Sequence, residues 1–193
     1  MKNAAAILSR QEMVLLSRIT DLGRKIDFLA GRALLKRVCA DKLGRRSREI
    51  RLQIYTNGAL KLPDCPDYGL VISHSRKMVI AVMDIKAVGA DIEYMDSARP
   101  MAKIMRRLGA EPASPADSPE LLEEFYTFWT RREAAFKLRS NQRASGNMPR
   151  TERAVNYQTQ FLEGPRGRYC LTIASYKPVK GVEMVKKNIN SVI

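Results

Sequence analysis

Apolar residues recur at three-to-four spacing over residues 11–42. Ile26, Leu29 and Ala33 form one row and Leu34, Leu35 and Val38 another, with Arg and Lys between them. That period predicts an amphipathic helix across the stretch, stopped at Gly44. Short apolar runs follow. Asn57-Gly58, between runs at 50–55 and 60–62, is a two-residue hairpin signal whose turn positions both call for positive φ. Runs at 70–72, 78–83 and 88–92, separated by polar turns, predict a β-meander. Residues 99–108 have a helical pattern, 111–119 form a Pro-rich loop, and 120–138 predict a strong helix in which Phe125, Phe128 and Phe136 read as core. Three final runs, 155–162, 168–176 and 181–185, predict strands. Helix, strands, helix, strands implies an α+β fold of two similar subdomains, each a long helix packed on a small antiparallel sheet. The halves are expected at 1–86 and 87–193.

Composition narrows the classes. A chain of 193 residues with 45% hydrophobic and 28% charged residues can bury a real core, which argues against a disordered basic tail. No run approaches the roughly 20 apolar residues of a membrane span. The apolar patch at 4–8 is short and lacks a cleavage pattern. Cys39, Cys65 and Cys170 are too scattered for a metal knot or disulfide framework, so a reduced, cytoplasmic protein is expected. Lys and Arg number 34 against 20 Asp and Glu, a net charge of +14. Such an excess points to an anionic partner: nucleic acid, a phosphorylated small molecule, an anionic membrane face or an acidic protein.

Four segments carry candidate chemistry. In 88–93, Val-Gly-Ala-Asp-Ile-Glu, a strand puts Asp91 and Glu93 on one face and Ala90 and Ile92 on the other. Two neighbouring carboxylates repel unless a cation sits between them, so a divalent ion is the natural occupant; the bland reading is a solvated strand end. In 125–137, Glu133 and Lys137 stand one helical turn apart, with Trp129 a turn earlier; alone, this is a surface ion pair of about 0.3–0.5 kcal/mol. Ile72-Ser73-His74-Ser75 ends a strand with a lone histidine between hydroxyls, suited to a phosphate or to a capped turn. Because His74 is the only histidine, any metal here is a hard, carboxylate-held ion such as Mg²⁺. Residues 28–37 carry cations on a helix whose other face is apolar, and Arg45, Arg46, Arg48 and Arg51 follow.

Taken in this order, the segments resemble the 4'-phosphopantetheinyl transferases, specifically the larger class in which one chain holds two similar halves. The resemblance covers residues 28–137 and rests on Leu-Ala-Gly-Arg-Ala-Leu-Leu at 29–35, Ile-Ser-His-Ser at 72–75, the 88–93 segment, and Trp-Thr-Arg-Arg-Glu-Ala-Ala-Phe-Lys at 129–137. It implies transfer of phosphopantetheine from coenzyme A to a serine of an apo acyl or peptidyl carrier protein, with release of 3',5'-ADP. By that resemblance Asp91, Glu93 and Glu133 hold Mg²⁺, Glu133 is the general base, and Lys137 contacts the pyrophosphate and stabilises developing charge. Ser73, His74 and Arg32 match positions that contact coenzyme A. Half 1–86 then supplies coenzyme A contacts, and half 87–193 the metal carboxylates and catalytic helix, within a monomer. The chain departs from the family at Gly58-Ala59-Leu60, where a phosphate-contacting lysine is missing and Lys61 is the nearest replacement. It departs again at Arg76, where glycine is usual. The 42–51 cluster is expected to dock an acidic carrier. Two alternatives stand beside this reading: a catalytically degraded relative that binds carrier proteins, and a basic nucleic-acid-binding module. Aromatic residues at 7% and the lack of a nucleic-acid motif weaken the latter.

Overall fold

A computed structural model describes residues 7–116, 118–144 and 153–179. The helical pattern at the start is two helices rather than the single one expected over 11–42. α1 (Arg10–Arg18) opens with a capping box: the Ser9 hydroxyl accepts from the Glu12 N–H at 3.3 Å, and the Ser9 N–H donates to Glu12 Oε2 at 2.8 Å. α2 (Leu22–Leu43) has its own cap, Asp21, which accepts from the Arg24 N–H at 2.7 Å. A capping carboxylate satisfies the free amides of a new helix start, so the chain turns there although the apolar spacing runs on. Gly44 ends α2 as expected.

The first sheet has the order β1-β2-β3-β4, all antiparallel, formed by β1 (Gln53–Ile54), β2 (Leu60–Lys61), β3 (Tyr68–Ser75) and β4 (Met78–Ile85). Asn57-Gly58 does join β1 to β2, but only Gly58 has positive φ, at 81°. The Tyr55 carbonyl accepts from Gly58 and the Tyr55 N–H donates to the Ala59 carbonyl, both at 2.9 Å. The connection is therefore a three-residue loop with a glycine bulge, not a two-residue turn.

β5 (Val88–Tyr94), β6 (Asn156–Gly164) and β7 (Gly167–Ser175) form the second sheet, in the order β5-β7-β6. The expected meander is thus corrected. β3 and β4 are a hairpin, but β5 leaves them to pair with β7 from Val88↔Ser175 to Tyr94↔Tyr169. There the apolar face of β5, Val88, Ala90 and Ile92, joins Leu171 and Ile173 in one buried cluster. α3 (Met101–Arg107) and α4 (Pro119–Ala144) lie between β5 and β6 in the chain. α2 packs on β3 and β4, and α4 on β5 and β7. The architecture is α+β, with a long helix on each of two small antiparallel sheets. The strand expected at 181–185 lies outside the described residues.

Among the described residues no helix is long and apolar enough to cross a membrane. All three cysteines are free thiols, Cys39 and Cys170 buried. α1 is held to α2 by a buried ion pair: Lys36 Nζ donates to Glu12 Oε2 at 2.7 Å and to the Ile7 carbonyl at 2.6 Å.

α4 meets β5 at Gly89 with no room for a side chain. A Cβ there would lie 1.9 Å from the Ala134 carbonyl oxygen and 2.7 Å from the Leu138 amide nitrogen. Both are helix backbone, which cannot turn aside. Gly89→Ala is therefore expected to destabilise the protein by about 3 kcal/mol, as overpacking in a filled interior does, measured by urea unfolding. An unchanged unfolding midpoint would refute this contact.

Candidate functional site

β3 and β5 belong to different sheets but run side by side in the same direction. Tyr68 and Lys86 make a single parallel bridge, and residues about 18 apart keep meeting along the two strands. No ladder is formed, so side chains take over the backbone groups. Asn141 of α4, itself buried, donates from Nδ2 to the carbonyls of Leu70 at 2.9 Å and Val88 at 2.8 Å. Further along, the Ser73 hydroxyl accepts from the Ile92 N–H at 3.3 Å, and the Ser75 hydroxyl from the Tyr94 N–H at 3.0 Å.

The same hydroxyls fix the two carboxylates. Ser73 Oγ donates to Asp91 Oδ1 and Ser75 Oγ to Glu93 Oε2, each at 2.8 Å. Lys137 reaches in from α4, its Nζ donating to Asp91 Oδ1 at 2.7 Å and to Ser73 Oγ at 2.9 Å. Asp91 and Ser73 are buried, and Lys137 is about a quarter exposed. Ser73 spends its one hydrogen on Asp91 and accepts from Ile92 and Lys137, which uses its whole capacity. Its hydrogen-bonding capacity is thus taken up by protein partners. Asp91 Oδ2, by contrast, is buried and has no hydrogen-bond partner.

Glu133 stands one turn before Lys137, partly exposed, and makes no hydrogen bond or ion pair with a described residue. The side chains of Asp91, Glu93 and Glu133 are not drawn into one cluster: among the described residues no three His, Cys, Asp or Glu groups are gathered as a metal site. What the site does offer is hard oxygen chemistry: two fixed carboxylates on β5, one of them with an orphaned buried oxygen, and an uncommitted carboxylate on α4. Each is the kind of hard oxygen donor that Mg²⁺ takes, but the three are not gathered around one point.

His74 points the other way from Ser73 and Ser75, as alternation along β3 requires, and its Nδ1 lies 3.4 Å from Asp27 Oδ2 of α2. It lines an open cleft of about 550 Å³ whose wall also carries Arg18, Arg24, Arg32 and Lys137. Arg32 stacks over Phe28, 4.9 Å from the ring centroid, with its Nε 3.5 Å from the buried Glu12 Oε1. Burial lowers its pKa from the ordinary value, opposed by the Glu12 charge; a guanidinium stays protonated regardless. Lys61 is buried on β2 and is not among the residues lining the cleft. Arg76 is taken up by Asp96 at 2.8 Å and by the Tyr94 ring; with Lys77 it forms a turn at φ 41° and 71°, a conformation glycine would adopt more easily. Phe136, expected in the core, is 63% exposed at the cleft.

The site therefore unites Ser73, Asp91 and Lys137 directly, lines one cleft with His74, Arg32 and Lys137, and holds Glu93 beside Asp91 on β5. Glu12, Arg18, Arg24 and Asn141 belong to the same surroundings and were not singled out by the sequence. Asn141 had a usable signal, since Glu133, Lys137 and Asn141 follow one another at i, i+4, i+8. Comparison with known protein families and with curated proteins found no match for the chain.

Burial raises the Glu93 carboxyl above its ordinary value of 4.5; the Ser75 hydrogen bond opposes this and the Asp91 charge adds to it. An acid whose pKa is higher in the folded state binds its proton more tightly there, so it costs stability as pH rises from the unfolded to the folded pKa. Glu93→Gln is expected to be more stable than wild type at neutral pH, with the gap closing as pH falls to 4.5 and below. Denaturant unfolding at a series of pH values measures it. A gap that does not vary with pH would contradict the assignment.

Proposed function

We propose that the chain is a 4'-phosphopantetheinyl transferase of the class with two similar halves in pseudo-twofold relation. It moves the phosphopantetheine group of coenzyme A to a serine of an apo acyl or peptidyl carrier protein and releases 3',5'-ADP. The observation that carries this reading is the joining of Asp91 to Lys137 through Ser73, at the seam of two helix-on-sheet halves and beside a cationic cleft. A pyrophosphate donor needs such a neighbourhood: cations for its oxygens, and carboxylates set close by.

In this reading Arg32 and His74 hold the phosphates of the nucleotide end in the cleft. Lys137, held by Asp91 and Ser73, neutralises charge on the pyrophosphate as it breaks. Asp91 through its free Oδ2, Glu93 and Glu133 would hold Mg²⁺, which supplies further neutralisation of the pyrophosphate when bound. The carrier serine Oγ attacks the phosphorus that bears pantetheine. The bond from that phosphorus to the bridging oxygen breaks, and its electron pair leaves on 3',5'-ADP. The serine proton passes to Glu133, directly or through a water. Ser73 serves as a positioning residue for Asp91 and Lys137. The reading includes a monomer working in the cytoplasm.

Purified protein incubated with coenzyme A, Mg²⁺ and a panel of apo carriers is expected to add one phosphopantetheine mass to at least one carrier, as read by intact-mass spectrometry. Coenzyme A binding without transfer to any carrier would favour the degraded relative. Glu133→Gln is expected to lower transfer by about 100-fold or more, the usual worth of a general base, with the unfolding midpoint unchanged. Near-normal turnover in that variant would remove Glu133 from the role of base.

A further inference from the structure

Among the described residues, three arginines on the exposed face of α4 have no partner. Arg132, Arg139 and Arg143 are all exposed, and none makes a hydrogen bond or ion pair with a described residue. At 3.6 residues per turn these three share one narrow strip, roughly 16 Å long, on one side of Phe136. On the other side of Phe136 stand Glu133, Lys137 and Ser140, of which Lys137 and Ser140 line the cleft. Phe136 is thus an exposed aromatic between a row of free cations and the candidate site. Residues 131–144 contain one acid, Glu133, which lies on the far side of Phe136 from the strip.

The cluster at 42–51 differs in this respect. Arg45 is paired with Asp64 at 3.4 Å, and Arg46 is in an ion pair with Glu49. Part of its charge is already answered inside the protein, and no exposed large apolar residue lies within it.

We propose that Arg132, Phe136, Arg139 and Arg143 form the docking surface for the protein substrate, an acidic protein with an apolar residue near its acceptor serine. The proposal rests on the transferase reading. A serine hydroxyl brought to Glu133 carries its protein across whatever is exposed next to Glu133, and that is this strip. Its positive charge selects an acidic partner, and the exposed ring gives a water-excluding contact at the edge of the cationic strip. Lys137 stays outside the docking set because Asp91 and Ser73 hold it.

The test is steady-state transfer with the full chain, using the carrier that the wild type modifies best, alongside calorimetric binding of coenzyme A. Arg132→Glu combined with Arg139→Glu is expected to raise the KM for carrier by about tenfold and to flatten its salt dependence, as loss of steering charges does, with kcat and coenzyme A affinity unchanged. The pair Arg48→Glu and Arg51→Glu is expected to leave that KM unaltered. The proposal is overturned if the first pair leaves the KM unchanged, or if the second pair is the one that raises it. It is also overturned if the first pair changes only retention on phosphatidylserine vesicles or on duplex DNA. A wild type that transfers nothing to any carrier overturns the transferase reading and this surface together. A wild type that transfers normally, with unaffected arginine variants, overturns the surface alone.

Discussion

Two strands that lie side by side without a ladder leave amides and carbonyls to be satisfied some other way, and the arrangement of this protein follows from how β3 and β5 meet that demand. Asn141 takes one carbonyl from each strand, while Ser73 and Ser75 take alternate amides of β5. A serine hydroxyl that accepts from an amide still has a hydrogen to give, and here it gives it to the carboxylate on the same strand. The join between the halves therefore also fixes Asp91 and Glu93. Lys137 completes the arrangement from α4, which comes close enough only because Gly89 has no side chain. Unpaired buried backbone groups cost about 1–3 kcal/mol each, so this join is both structural and chemical.

Charge is distributed unevenly over the molecule. Some of the excess is neutralised locally, as with Arg37 and Asp41, Arg45 and Asp64, Arg76 and Asp96, and Arg168 and Glu123. A second group lies in or beside the cleft: Arg18, Arg24, Arg32 and Lys137. Behind Arg32 a buried acid, Glu12, balances Lys36, so two cations share one anion. Exposed pairs contribute little to stability, whereas a buried acid with its cation removed is a heavy burden. The buried trio is thus the part of the N-terminal region that the fold depends on most.

Most of the element order could be read from the chain, because it depends on local periodicity and punctuation. The Gly44 stop, the β3–β4 hairpin and the long α4 all follow from residues within a few positions of one another. The errors share a cause. The break at Asp21 was hidden by apolar spacing that continued across it, and the partner of β5 is chosen by apolar contacts with a strand some 80 residues away. Phe136 was assigned to the core because it is aromatic and helical, yet the helix face it occupies is decided by what α4 packs against.

The α+β order and the placing of Asp91 with Glu93 on one strand face are legible in the chain alone, since alternation along a strand is a property of the backbone. So is the one-turn spacing of Glu133 and Lys137. Folding in three dimensions is what makes Lys137 bond Asp91 rather than Glu133, engages Ser73 with both strands, and sets Arg32 beside a buried acid. Those outcomes depend on which groups lose water together when two sheets and two helices close on each other. A buried hydroxyl or charge must find its partner among the groups enclosed with it. Spacing along the chain does not say which groups those are.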